Sequence, residues 1–371
     1  TVNTLYAEQQ IGKEMMAELA NTVASYKKVM VLASFGTPDM TLNKALEAIA
    51  DCCNIVVLTE TVANLSSHKF IQTIDRVLSA MTQDEKKSLA PELLITFGGS
   101  LISKMVKTWL RNYRPIEHWH ISPSNHIVDT MQCLTRHIAV QPYGFWRQLS
   151  GCIKDGGSNY AELWQNLKLR ATYSHSKYID TIPWCDLKAF SQLLPAIPEG
   201  TVLQLSNSTP VRYAQLFEYE QVKRVDCNRG TSGIDGATST AVGASWVNEE
   251  KTIFITGDMG FLYDSNALWS HYVTPKLKIV VMCNDGGGIF RFIQGPSELP
   301  ELEEFFETYR QVDVEGFARL HGFSCWSVFE EQALQNVLPA FFAEKESASI
   351  LAVHTPREVN DRILNGYFKR K

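Results

Sequence analysis

Residues 252–258 read TIFITGD, and residues 277–290 read LKIVVMCNDGGGIF. Each opens as a short apolar run rich in β-branched residues and stops at Gly or Asn, the pattern of a strand buried on both faces. Helical spacing over 262–271 lies between them, so strand, helix and strand predict one unit of a parallel sheet. Asp258 stands at the carboxyl end of the first strand, beside a helix N-terminus, and Asn284 at the end of the second, 26 residues later. Neighbouring strands lie about 4.8 Å apart, so the two side chains can converge on one hard cation. The glycines after Asn284 free the backbone to bend until a carbonyl, that of Gly286, becomes a third oxygen ligand. Mg²⁺ takes about six oxygens and shares them with phosphate and water, so three protein oxygens leave positions for a diphosphate. Its charge also suits the helix N-termini there. Taken singly, Gly-Asp is most simply a turn and cap, and NDGGG a flexible turn; the two tips in succession point to chemistry.

The same alternation extends in both directions. Residues 202–205, 223–226, 323–329 and 349–354 also read as strands, with helical patterns over 209–217, 234–247, 314–321 and 331–343. In the first half, 28–35, 54–59, 93–97 and 117–121 are strand-like, separated by helical spacing over 42–50, 68–81 and 101–110. Helical segments near 144–152 and 160–173 then lead into 174–183 (SHSKYIDTIP), a polar stretch that reads as an interdomain linker. The expected fold is α/β: two consecutive doubly wound, mostly parallel-sheet domains, 1–178 and 179–371, with ligands at the carboxyl ends of strands.

Composition agrees. A chain of 371 residues with 45% hydrophobic and 20% charged residues suits two domains with sizeable cores. A net charge of −5 argues against a nucleic-acid surface spread over the whole chain. No apolar run approaches the roughly 20 residues of a membrane helix. The eight cysteines form no CxxC pair, which favours a reduced, cytoplasmic chain over a disulfide scaffold or zinc site. Residues 1–10 (TVNTLYAEQQ) have neither the basic start nor the apolar core of a signal peptide.

The two tips resemble the cofactor motif of thiamine-diphosphate enzymes, which opens with Gly-Asp-Gly and closes with Asn-Asn. Here the third residue is Met259 and the closing pair Asn284-Asp285. With NRGTSGIDGATSTAVG (228–243), GDMGFLYDSNAL (257–268) and NDGGGIF (284–290), these departures turn the resemblance toward one branch. It is the 2-succinyl-5-enolpyruvyl-6-hydroxy-3-cyclohexene-1-carboxylate synthases of menaquinone biosynthesis. The likeness is dense from 203 to 293 and elsewhere covers organisation more than identities.

The resemblance implies thiamine diphosphate with Mg²⁺ (or Mn²⁺) as cofactors, the metal held by Asp258, Asn284 and the Gly286 carbonyl. It assigns Asn207, Gly257, Ser232, Gly233 and the Met259 backbone to the cofactor. Ile234 would prop the bent cofactor, with Ile289, Phe290 and Ile293 as an apolar wall beside the thiazolium. The branch decarboxylates 2-oxoglutarate and adds the succinyl unit to isochorismate, releasing CO₂. Both substrates carry carboxylates, which guanidinium forks recognise. Ser208 and Arg212, four apart on one helix face, and Arg229 match the substrate positions. Lys104 falls near the substrate site, although relatives carry Lys-Arg where this chain has Lys104-Met105.

The resemblance also implies a third, N-terminal module that grips the aminopyrimidine and supplies an activating glutamate. The two domains match the central and diphosphate-binding modules, and no Met begins the sequence. The expectation is therefore a truncated portion of a homo-oligomeric synthase (dimer or tetramer), inactive alone, with no certain catalytic residue of its own. Gly98-Gly99-Ser100-Leu101 superficially suggests a nucleotide site but lacks G-x-G-x-x-G, a fingerprint whose absence from both domains also excludes a Rossmann oxidoreductase. His118 and His120, with His126 nearby, form an H-x-H pair lacking acidic or Cys partners, and read as core or surface histidines. The rivals are another thiamine-diphosphate decarboxylase or carboligase, and a non-catalytic scaffold of the same fold.

Overall fold

The computed structural model describes residues 10–291 and 295–370. The chain divides into two compact units, 1–173 and 174–370. In the first, strands β1 (Val29–Ala33), β2 (Ile55–Thr59), β3 (Leu93–Phe97), β4 (Glu117–Ile121) and β5 (Arg136–Ile138) form one sheet, ordered β2-β1-β3-β4-β5. Every pairing is parallel. The two-residue period of β1 divides its side chains between two cores. Val29, Val31 and Ala33 pack with Leu46, Phe145 and Trp146 on one face. Met30 and Leu32 pack with Val77, Trp109 and Trp164 on the other.

The second unit carries β6 (Val202–Leu205), β7 (Arg224–Cys227), β8 (Thr252–Gly257), β9 (Leu277–Cys283), β10 (Ser324–Val328) and β11 (Ser349–His354). Its sheet is also parallel, ordered β10-β11-β9-β8-β6-β7. The chain leaves β6 toward β7 and then returns to place β8 on β6's other side, so the winding reverses between β6 and β8. A doubly wound sheet opens its ligand crevice at such a reversal, beyond the strands' carboxyl ends.

The structure corrects three readings. The expected linker over 174–183 is largely the last part of a 22-residue helix, Tyr160–Thr181. The segment is polar, but His175 and Ile179 are buried and no Gly or Pro falls between Tyr160 and Pro183, so one face packs while the rest meets water. The helix expected over 262–271 is instead a short helix, Asp258–Tyr263, followed by a 3₁₀ turn, Ser265–Trp269. Asp264 interrupts it by turning its carboxylate to the Ser239 N–H at 2.6 Å and the Ser239 hydroxyl at 2.7 Å. Helix Asp186–Ala196 was not expected at all, because Pro195 and Pro198 make its end read as a loop. His118 and His120 share the Thr96 hydroxyl at 2.9 Å each, and among the described residues no cluster of three His, Cys, Asp or Glu could hold a metal.

Candidate functional site

Asp258 follows the last residue of β8 and is only 2% exposed. Gly257 pairs with Met282 across the β8–β9 ladder, which brings the two strand tips to one level. The Asp258 carboxylate then folds over the loop leaving β9. Its Oδ2 accepts the backbone N–H of Asn284 at 3.2 Å and of Gly286 at 3.1 Å, while Oδ1 accepts that of Met259 at 2.7 Å. Burial pushes this carboxyl up to about 7, against the N–H bonds from Met259 and Gly286 that favour its charge.

The loop holds this shape because its backbone needs glycine. Gly286 sits at φ +141°, and a Cβ there would lie 2.7 Å from the Glu307 carbonyl oxygen. Gly287 N–H donates to that same carbonyl at 2.8 Å, and Gly288 N–H to the Gly286 carbonyl at 2.9 Å. The Glu307 side chain, 1% exposed, accepts paired hydrogen bonds from both Arg291 and Arg357 at 2.7–3.0 Å. Burial alone would raise this carboxyl, but Arg357 and Arg291 outweigh it and hold it below the usual range.

Asp258, the Asn284 amide and the Gly286 carbonyl thus form an all-oxygen donor set on adjacent strand tips, which suits a hard divalent cation. Asn284 commits its NH₂ to Asp186 Oδ2 at 2.8 Å. Asp258 Oδ1 and the Gly286 carbonyl each accept one hydrogen bond and keep capacity for a second partner. A cavity of about 710 Å³, lined by Asp258, Cys283, Asp285, His354 and Thr355 among others, opens beside them. The residues fit Mg²⁺.

At the β6–β8 reversal the second group gathers. Leu205 pairs with Ile255, so Asn207 lies level with Gly257. Asn207 is buried and braces the loop beyond β7: its NH₂ donates to the carbonyls of Asn228 and Gly233, and its Oδ1 accepts from Arg229 at 2.6 Å. Ser208 holds φ +76°, a strained value for a non-glycine residue, and Arg212 Nη1 donates to its carbonyl at 2.6 Å. Ser232 is also left-handed, at φ +62°, and is exposed with Gly233, whereas Ile234 is half-buried. A Cβ on Gly260 would lie 2.9 Å from Thr256 Oγ1, 3.2 Å from Ser206 Oγ and 3.7 Å from Ile234 Cβ, so these four residues meet. The Ser206 hydroxyl is buried with no hydrogen-bond partner among the described residues, a polar group at the crevice.

Ile289 and Phe290 lie half-buried on the turn Gly288–Arg291, with the Phe290 ring 5.7 Å from that of Phe306. Ile293 lies outside the described residues. Lys104 is exposed at the start of helix Lys104–Asn112 in the first unit. Sequence reasoning missed Asp186, Glu307, Arg291 and Arg357. Nothing local to any of the four marks its distant partners.

Comparison with known proteins bears on this geometry. Residues 5–199 match the family described as "Middle domain of thiamine pyrophosphate", and residues 208–353 match "Thiamine pyrophosphate enzyme, C-terminal TPP binding domain". The chain is similar to the 2-succinyl-5-enolpyruvyl-6-hydroxy-3-cyclohexene-1-carboxylate synthase of Porphyromonas gingivalis, 43% identical over 369 residues. Proteins of the same name from Flavobacterium psychrophilum and Christiangramia forsetii are 40% identical over 343 residues and 37% identical over 366. These alignments cover 97%, 92% and 97% of this chain but 64%, 62% and 63% of those proteins, so the chain spans less than two thirds of their length.

Proposed function

The chain belongs to the thiamine pyrophosphate enzyme family, and from that premise we propose that it is the cofactor-holding part of a menaquinone-biosynthesis synthase. In this reading the intact protein decarboxylates 2-oxoglutarate on thiamine diphosphate and transfers the succinyl unit to isochorismate, releasing CO₂. The observation that carries it is the Asp258 carboxylate lying against the Asn284–Gly286 backbone, which joins the two strand tips by hydrogen bonds. The names borne by the similar proteins support the substrates.

Each group then has a task. Asp258, Asn284 and Gly286 hold Mg²⁺, which in turn holds the diphosphate. When bound, thiamine diphosphate supplies the ring that accepts the electron pair freed as CO₂ leaves. Asn207 shapes the loop carrying Arg229, Ser232 and Gly233 through its hydrogen bonds. Arg212 and Arg229 meet substrate carboxylates with guanidinium forks whose aim is set in part by hydrogen bonds to the Ser208 carbonyl and to Asn207. Ile234, Ile289 and Phe290 exclude water beside the reacting ring. Lys104 serves the substrate side. The intact protein assembles as a homo-oligomer, a reading supported by exposed Trp246, Trp269 and Tyr272 on the second unit. Among the described residues no helix is long and apolar enough to cross a membrane.

The test is a paired assay of the intact protein. Thiamine diphosphate and Mg²⁺ are titrated in, and consumption of 2-oxoglutarate with isochorismate is compared with that of pyruvate. The reading expects saturable cofactor binding, turnover with the first pair only, and loss of Mg²⁺-dependent binding in Asp258→Ala. Turnover of pyruvate would favour another carboligase, and cofactor affinity unchanged by Asp258→Ala would favour a scaffold.

A further inference from the structure

Asp186 has no task in the reading above, yet it is the buried centre of a closed hydrogen-bond ring. It is 1% exposed at the start of helix Asp186–Ala196, 98 residues from Asn284 in sequence. Its Oδ2 accepts the Asn284 NH₂ at 2.8 Å and its Oδ1 accepts the Thr355 hydroxyl at 2.6 Å. Its backbone N–H donates to Asn360 Oδ1 at 2.8 Å, and Asn360 returns an NH₂ to Thr355 Oγ1 at 3.4 Å and to the Pro356 carbonyl at 3.2 Å. The carboxylate is therefore fixed from both sides before any cation arrives.

An asparagine amide has nearly the same shape in its two orientations but opposite chemistry, since its oxygen ligates a cation and its NH₂ repels one. Shape alone does not choose between them at Asn284. Asp186 does: a carboxylate offers only acceptors, so a flipped amide would set two oxygens against each other at hydrogen-bond distance. We infer that Asp186 is a positioning residue that locks the Asn284 amide with its oxygen toward the cation site. The inference rests on the metal reading of Asp258, Asn284 and Gly286. Asp186 reaches the donor set through its hydrogen bond to the Asn284 NH₂, so it acts through Asn284. Partners that orient metal ligands in this way are worth ~10–100-fold in metal affinity.

The test measures Mg²⁺ half-saturation in the intact protein at fixed thiamine diphosphate, read by tryptophan fluorescence. Urea unfolding without cofactor is followed in parallel. Asp186→Leu keeps the branching at Cγ but removes the acceptors, and half-saturation should rise at least about tenfold. Asp186→Asn keeps one acceptor oxygen and should stay within about threefold of wild type. Adding Asn284→Asp to Asp186→Leu should recover most of the loss, because aspartate has no wrong face. A merely structural Asp186 would lower the urea midpoint and leave both the half-saturation of folded protein and the recovery unmoved. If Asp186→Leu does not fold, Asp186→Ser, too short to reach Asn284, replaces it with the same expected loss. A folded Asp186→Leu or Asp186→Ser that binds Mg²⁺ within twofold of wild type, or an Asn284→Asp that recovers nothing, overturns the inference. Asp258→Ala separates the two levels: if it leaves Mg²⁺ binding intact, the metal reading itself fails and this inference falls with it.

Discussion

Single residues decide the site's shape through backbone and burial. Gly286 is the sharpest case, because φ +141° and a Glu307 carbonyl 2.7 Å from any added Cβ exclude every side chain. Gly286→Ala should unseat the loop from Asp258 and weaken Mg²⁺ binding by two orders of magnitude or more, while far-ultraviolet circular dichroism of the intact protein stays within a few per cent. In the first unit Glu60 makes a different prediction. It is buried, and its carboxylate accepts the N–H groups of Ile102 at 2.9 and 3.0 Å and of Ser103 at 2.7 Å. Burial pushes its carboxyl up from 4.5 to about 7, despite the opposing N–H bonds from Ser103 and Ile102. The folded state thus holds this proton more tightly than the unfolded chain. The resulting stability is full below pH 4.5, is lost as pH climbs to about 7, and is level beyond. The loss should be on the order of 3 kcal/mol and should be absent from Glu60→Gln, checked by urea unfolding at pH 4.5, 6 and 8.

At the scale of elements, the turn Leu302–Glu307 matters because it holds two others. The Glu307 carbonyl carries Gly287 of the metal loop, while its side chain pairs Arg291 from the turn after that loop with Arg357 from beyond β11. Buried pairs contribute little beyond their desolvation cost when whole, but removing one partner strands the other. Glu307→Gln leaves two guanidinium groups facing a neutral amide, with the exposed Glu303 carboxylate, 2.9 Å from Arg291 and 3.4 Å from Arg357, as their remaining acidic partner among the described residues. It should lower the urea stability of the transition involving the second unit by ~2–4 kcal/mol. Mg²⁺ half-saturation should also rise, since the loop loses its brace. A variant with unaltered stability and unaltered binding would show that the pairing is incidental.

On the scale of the whole molecule, the second unit exposes Trp246, Val247, Trp269 and Tyr272, each more than half accessible, with the Trp246 and Tyr272 rings meeting edge-on at 5.2 Å. Aromatic surface of this extent is the usual mark of a face that another chain covers. The proposed homo-oligomer therefore predicts that Trp246→Asp with Tyr272→Asp shifts the sedimentation coefficient of the intact protein to that of a smaller species. Sedimentation matching wild type would remove this face from the assembly.

Read alone, the sequence carried the parallel sheets, the order of most strands and helices, and the two tips bearing Asp258 and Asn284. These features are written in local pattern: the apolar, β-branched-rich runs of 252–256 and 279–283, each stopped by Gly or Asn, admit few other structures. The glycines after Asn284 likewise announced a bent backbone. Tertiary structure alone decided which groups share the site. Helix Asp186–Ala196 was hidden because its prolines obey local rules for a loop, and its first residue acquired a task only when folding carried it to Asn284, 98 positions away. Glu307 reached Arg357 across 50 positions by the same means. Periodicity reports which face of an element is apolar, but a hydrogen bond between distant side chains exists only once the sheet has set their distance and direction, and no local pattern encodes that.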